Sequence, residues 1–402
     1  MVIHEQQLAD WVGKISTSST AQLEAKVEQL QRQGIKIYRF GLGQPDFNTP
    51  DRAKQAAIDA IEHNQTTYTE TGGILPLREA ISKQFDREIG VHYSSEEIVV
   101  SVGGKQALFN AVCTLCSSGD EVLIPVPYWV SYEAQVKFSG AKPVLIQTTE
   151  KTRFKINTVL LEKYVTPYTK LLILNSPNNP TGAVYSKEEL AELASFCIAH
   201  RLWVISDEVY SSYIYSNTPC TSIASFNGMK DRTIVINAVS KTFSMTGWRI
   251  GYSAAPKVIA QAMVRLQSHT TSNPTSISQW AAVAAINGPK DDFDEILQEY
   301  KNKRDVMIQR IQRIKGLKCY PSEGAFYLWV DISEWLGETL AGHIIQSADD
   351  LAEVLLKEIH VAVMPGNGFG SSNNLRFSFS LPLDEIEGGL KAIETFLGLD
   401  EE

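Results

Sequence analysis

EEIVVSVGGKQALFNAVCTLC (residues 96–116) decides the fold class. A near-continuous apolar run ends in Ser101-Val102, two glycines follow, and Ala107, Leu108, Ala111, Val112 and Leu115 then recur at helical spacing. This is a buried strand turning directly into a helix. The unit repeats outward. DEVLIPV (120–126) precedes YWVSYEAQVKFSG (128–140), and KPVLIQT (142–148) follows. KLLILNSP (170–177) precedes SKEELAELASFCIAH (186–200), and LWVISDE (202–208), TIVINAVS (233–240) and RIGYSAA (249–255) complete the series. Seven apolar strands alternating with helices predict an α/β architecture: a mostly parallel seven-stranded sheet with helices on both faces. Ligands of such sheets bind at the carboxyl ends of the strands. That rule puts Gly103-Gly104, Pro127-Tyr128-Trp129, residues 175–182, residues 207–210 and Ser240-Lys241 on one rim.

The flanks read differently. AQLEAKVEQLQRQG (21–34) is a helix closed by Gly34, and IKIYRFGLGQPDFNTP (35–50) is a short strand running into a Gly/Pro-rich loop. DDFDEILQEYKNKRDVMIQRIQRIKG (291–316) is a long charged helix, after which strands and helices mix. The expected division is an N-terminal segment (1–45) packing with a smaller α+β domain (289–402), and a large domain (46–288). The SADDLAEVLLK stretch (347–357) has no function legible in the sequence.

Composition excludes several classes. The 402 residues are 44% apolar and 21% charged, with a net charge of −9, so neither nucleic acid nor an anionic membrane is the expected partner. The opening MVIHEQQLADWVGK lacks the apolar core of a signal peptide, and no run reaches the ~18 apolar residues of a membrane span. The five cysteines are scattered, and Cys113 and Cys116 fall on a helix face, so a reduced, cytoplasmic protein is expected. The seven histidines show no ligand spacing, and no metal is expected.

Chemistry-bearing residues gather at the rim. In SKTFSMTGWRIGY (240–252) a lysine ends a strand and an arginine lies eight residues on. Lys241 is either a solvated charge or an amine for an aldehyde cofactor, with Arg249 on that cofactor's phosphate. NSPNNPTG (175–182) is a rigid turn in which Asn179 either bonds a ligand or only shapes the loop. In SDEVY (206–210), Asp207 suits a pyridinium nitrogen and Tyr210 a phenolate-like oxygen; an N-cap and core packing are the plain alternatives. Gly103-Gly104 opens a helix, where backbone N–H groups favour an anion. Lys105 in that first turn opposes the helix dipole, which hints at a task for its charge. Trp129 offers a stacking platform or core bulk. Arg376, in NLRFSFS, is an edge charge or a planar fork for a carboxylate.

NSPNNPTG, SDEVY and SKTFSMTGWRIGY, in this order and spacing, resemble the pyridoxal-phosphate aminotransferases of fold type I, class I/II, over nearly the whole chain. SVGGKQALFN, SPNNPTGAVY and MTGWRIGY are similar to the bacterial aspartate aminotransferase subgroup Ib. The resemblance implies pyridoxal 5'-phosphate in Schiff-base linkage to Lys241, which then shuttles a proton in a ping-pong transfer between L-aspartate and 2-oxoglutarate. It implies Asp207 on the ring nitrogen, Tyr210 and Asn179 on the ring hydroxyl oxygen, and Trp129 on the ring face. Arg249, Ser240 and the Gly103-Gly104 turn hold the phosphate, and Tyr68 reaches that of a neighbouring subunit, which implies a homodimer. Arg376, with the Gly43 backbone, takes the substrate α-carboxylate. Lys105, helped by Ser18 and Thr20, takes the distal one. The loop GLGQPDF departs from the family pattern, with Gln44 where a glutamate is usual. Prephenate or aromatic amino-acid transfer is the alternative within the family, and a lyase sharing the same cofactor the alternative outside it.

Overall fold

A computed structural model describes residues 18–216, 220–289 and 291–399. Helix α1 (Ser19–Arg32) leads to the short strand β1 (Tyr38–Arg39), and α2 (Asp51–Glu62) and α3 (Leu75–Ile89) follow. Then come β2 (Ile98–Val102), α4 (Gly104–Leu115), β3 (Glu121–Val126), β4 (Lys142–Gln147), β5 (Thr169–Asn175), β6 (Trp203–Asp207), β7 (Thr233–Ala238) and β8 (Ile250–Ala254). Strands β2 to β8 form one sheet in the order β2-β8-β7-β6-β5-β3-β4. All are parallel except β8, which pairs antiparallel with both β2 and β7.

The expected seven-stranded α/β sheet is therefore present, and its apolar runs have the expected cause. Successive residues of each strand feed opposite faces. Ile234 and Ile236 of β7 join one buried cluster, with Val99, Ile124, Ile173 and Ile205, while Val235 joins another with Val100 and Tyr252. Leu123, Leu172 and Val204 pack with the Lys187–Ala199 helix on that second side. Both faces are covered, so neither keeps a polar alternation.

A second sheet is antiparallel, with Asn374–Ser378 between Met364–Pro365 and Tyr327–Asp331, and Lys318–Tyr320 outermost. The helices Asp291–Ile311, Ala348–Ile359 and Leu383–Leu397 pack around it in a core that includes Met307, Leu355, Phe377 and Leu390. β1 pairs in parallel with Val361–Ala362. Val27 of α1 and Ile37 share a cluster with Leu356 and Ala362.

The SADDLAEVLLK stretch is structural: it forms the Ala348–Ile359 helix, capped by the Ser347 side chain, which accepts from Asp350 N, with Leu351, Val354 and Leu355 buried. Leu355→Ala should cost about 2–5 kcal/mol, because it removes fully buried methyl groups. Ser347→Ala should cost only about 1 kcal/mol, for one lost cap. Urea unfolding of the two variants checks that order.

Candidate active site

The carboxyl ends of β2, β5, β6 and β7 open on one rim. Because β8 runs the other way, its start lies on the same rim, bringing Arg249 beside residues nearly 150 positions earlier in the chain. The chain reverses through a turn at Thr246–Trp248 and through Arg249 itself, which adopts φ +57°. Gly251 sits opposite both Ser101 and Ala238 in the sheet. A side chain at Gly251 would collide with the Gly104 backbone, and one at Gly103, where φ is +80°, would collide with the Arg249 guanidinium. These two glycines let the N-terminus of α4 and the arginine meet. The result is a cradle of helix N–H groups and a guanidinium, the chemistry of a phosphate site.

One cavity of about 380 Å³ is lined by Thr20, Gly43, Gly104, Lys105, Trp129, Asn179, Asp207, Tyr210, Ser240, Lys241, Arg249 and Arg376. Twelve of the fifteen positions singled out from the sequence thus converge. Gly103 lies just outside, against Arg249, and Ser18 is half-buried ahead of α1 without a capping bond. Tyr68 stands apart from the cavity of its own chain and is 90% exposed.

Each charged group is held by specific neighbours. Lys241 lies in a single helical turn (Val239–Thr242) and donates from Nζ to the carbonyl of Gly43. Arg376 is buried in the middle of its sheet, which rules out an edge charge. Its Nη1 donates to Asn179 Oδ1 (2.9 Å) and its Nη2 to Gly41 O (2.8 Å). The guanidinium lies 4.3 Å from the Tyr327 ring centroid and 5.1 Å from that of Phe369. Lys105 is exposed, with Nζ 5.1 Å from the Trp129 ring. Asp207 is buried, accepts from Tyr132 OH at 2.6 Å and from Val209 N at 3.3 Å, and caps no helix.

Two hydroxyls escaped the sequence reading. Tyr132 falls three residues after Trp129, inside a motif read only for its tryptophan. Tyr327 OH lies 2.8 Å from Tyr210 OH, and nothing in its apolar strand marks it as part of the site. Gln44 is exposed at the mouth, its amide oxygen 3.5 Å from Thr246 Oγ1.

The sequence pattern of the family "Aminotransferase class I and II" matches residues 35–393. The chain belongs to this family. It is 41% identical to the aspartate aminotransferase of Geobacillus stearothermophilus, over 97% of this chain and 99% of that one. It is 40% identical to the aspartate/prephenate aminotransferase of Cereibacter sphaeroides, over 97% and 98%. The crystal structure of the aspartate aminotransferase from Rhizobium meliloti superposes with a TM-score of 0.93 at 38% identity, covering 98% of this chain and 100% of that one.

In this aminotransferase the two central charges are both destabilised. Burial, with Arg376 and Arg249 nearby, lowers the Lys241 pKa to about 7, against a weaker opposing pull from Asp207. A large share of the amine is therefore neutral and nucleophilic near physiological pH. Burial raises the Asp207 carboxyl to about 6, while the Tyr132 and Val209 hydrogen bonds restrain the rise. Although Lys105 is exposed at the surface, partial loss of water around its ammonium, then Arg249, lowers its pKa as well.

The raised Asp207 pKa fixes a sign. The folded protein binds this proton more tightly than the unfolded chain does, so the stabilisation is complete below about pH 4 and is lost as pH rises through about 6. Asp207→Asn escapes that loss. In the cofactor-free protein its stability relative to the parent should grow by about 3 kcal/mol between pH 4 and pH 7 and then level off. Urea denaturation at several pH values measures it.

Proposed function

We propose that this aminotransferase carries pyridoxal 5'-phosphate at Lys241 and moves the amino group between L-aspartate and 2-oxoglutarate. The observation that carries this reading is the shared cavity: an amine of lowered pKa, a buried carboxylate, an anion cradle and two further cations, Arg376 and Lys105. The residues fit the cofactor. Gly103 and Gly251 leave room for the Gly104 backbone, Arg249 and Ser240 to grip a phosphate. Asp207 suits a protonated ring nitrogen, whose positive charge would offset the carboxylate's burial. Trp129 covers a ring face. If Tyr327 donates to Tyr210, the Tyr210 proton is free for the ring oxygen, and Asn179 keeps its amide N–H groups for the same atom.

When bound, the cofactor supplies an electron sink for the bond broken at the substrate α-carbon. The protein supplies the rest. Arg376, with the Gly43 backbone, orients the α-carboxylate. Lys105, with Thr20 and Ser18 near the mouth, takes the distal carboxylate. Lys241 removes the α-proton and returns it to the other partner, a role worth about 10²–10⁴-fold in rate. The described part of the 1–45 segment joins the 289–402 portion through the β1 pairing with Val361–Ala362, residues 1–17 lying outside the described residues, and closure of the two over 46–288 excludes water. The exposed Tyr68 completes a partner's phosphate site in a homodimer. We place the enzyme in the cytoplasm, in keeping with five free cysteines.

A second reading within the family is prephenate or aromatic amino-acid transfer. It is favoured by Leu42, Leu108 and Trp129, apolar residues that line the same cavity as Lys105. The relative from Cereibacter sphaeroides bears the name of both substrates.

Lys241→Ala should abolish the visible band of the purified protein and its activity; a coloured, active variant overturns the assignment. Lys105→Ala should raise KM for aspartate about tenfold or more, while leaving KM for an aromatic amino acid nearly unchanged. A panel of amino acids, scored by loss of the cofactor band in a single half-reaction, separates aspartate from prephenate-type specificity.

A further inference from the structure

The loop GLGQPDF supplies the carbonyls that meet two of the site's cations: Gly41 O accepts from Arg376 and Gly43 O from Lys241. What holds that loop lies outside the cavity. Lys303, on the Asp291–Ile311 helix, is 2% exposed, and its ammonium lies 2.6 Å from Asp46 Oδ2 and 2.5 Å from Glu299 Oε1. Tyr300, one helical turn earlier and also buried, donates to Asp46 Oδ1 at 2.6 Å and accepts from Asp46 N at 3.2 Å. Ser380 Oγ, 2.7 Å from the Tyr300 oxygen, donates to Gln44 O at 2.6 Å. On its other side the loop is tied to the segment after Lys241. Ser244 Oγ donates to Phe47 O, and Thr49 Oγ1 donates to Ser244 O at 2.9 Å.

An ion pair with a buried ammonium is a poor way to gain stability, because desolvating that charge offsets much of the attraction; apolar residues of similar size do as well. What such a pair does provide is one geometry, since a displaced Asp46 would leave the buried ammonium only Glu299, whose side chain is largely in solvent. Asp46 is three residues from Gly43, too close along the chain for the carbonyl to move independently.

We propose that Asp46, gripped by Lys303 and Tyr300, is a positioning residue for the reacting lysine, fixing the Gly41–Gly43 carbonyls against Arg376 and Lys241. The inference rests on the reading of Lys241 and Arg376 given above. Lys241 is faced by Arg376 from the antiparallel sheet, by Arg249 from the turn before β8, by Asp207 from β6, and by the Tyr210 ring. Both arginines oppose its positive form, and Asp207 and the Gly43 carbonyl favour it. Loosening the loop removes the carbonyl and leaves the arginines in place, so the amine loses its proton at lower pH.

The test uses the full-length protein and three variants: Lys303→Met, Asp46→Asn, and the double Asp46→Leu with Lys303→Met. Competitive acetylation across pH, with the peptide carrying Lys241 quantified by mass spectrometry, reads the amine without cofactor or turnover. The expected result is a titration midpoint about one pH unit lower in all three. In the holoenzyme, KM for the amino acid should rise about tenfold, with kcat falling less. The double variant, free of unpaired buried charge, should recover the parent's melting temperature yet keep both defects. That recovery separates positioning from stability, and the double variant decides the matter if either single variant does not fold. A parent-like Lys241 midpoint and KM in the folded double variant overturn the proposal. If instead the parent's Lys241 titrates as an ordinary lysine and Lys241→Ala keeps its coloured cofactor, the reading of the site fails, not the anchor alone.

Discussion

The site depends on one strand running the wrong way. Were β8 parallel to its neighbours, Arg249 would sit at the far edge of the sheet. Antiparallel pairing with β2 and β7 returns it to the rim where α4 begins and where the helical turn carrying Lys241 follows β7. The pairing places Gly251 beneath the Gly104 backbone, a contact with no room for a Cβ. Arg249 also accepts a left-handed backbone to make the reversal. Uncommon conformations of non-glycine residues persist where the surrounding structure over-determines them, and they cluster at functional sites.

Around that rim the chain sets two opposite charges against their own burial. Lys241 is pressed toward its neutral form and Asp207 toward its protonated form, each chiefly by loss of water. Among the described residues neither is neutralised by a direct partner of opposite sign. Lys241 leans on a carbonyl and Asp207 on a tyrosine hydroxyl. Such an arrangement costs stability in the empty protein. It leaves the amine available to an aldehyde and the carboxylate available to a ring cation, which is how a site is poised for chemistry instead of for a closed salt bridge.

Much of this was legible in the chain. The seven apolar runs became seven strands because burial on both faces removes any need for polar alternation. Lys105 broke the helix-dipole preference and proved to line the cavity. The hydroxyls of Tyr132 and Tyr327 were not legible, because their partners lie 75 and 117 positions away and a tyrosine in an apolar stretch looks like core. The SADDLAEVLLK helix resisted a functional reading because its periodic leucines serve packing. The Asp46 anchor was hidden for the same reason as the tyrosines: Lys303 sits in a run dense with charge, where nothing marks one ammonium as buried.

The sequence by itself determined the α/β class, the order of the strands along the chain, and which residue types end them. Those are local matters of apolar periodicity, turn chemistry and short motifs. Tertiary structure alone decided the direction of β8, the burial that shifts Lys241 and Asp207, and the loop whose carbonyls brace two cations. These depend on groups far apart in the chain meeting in a water-poor space, where desolvation and geometry, not residue identity, set the charge.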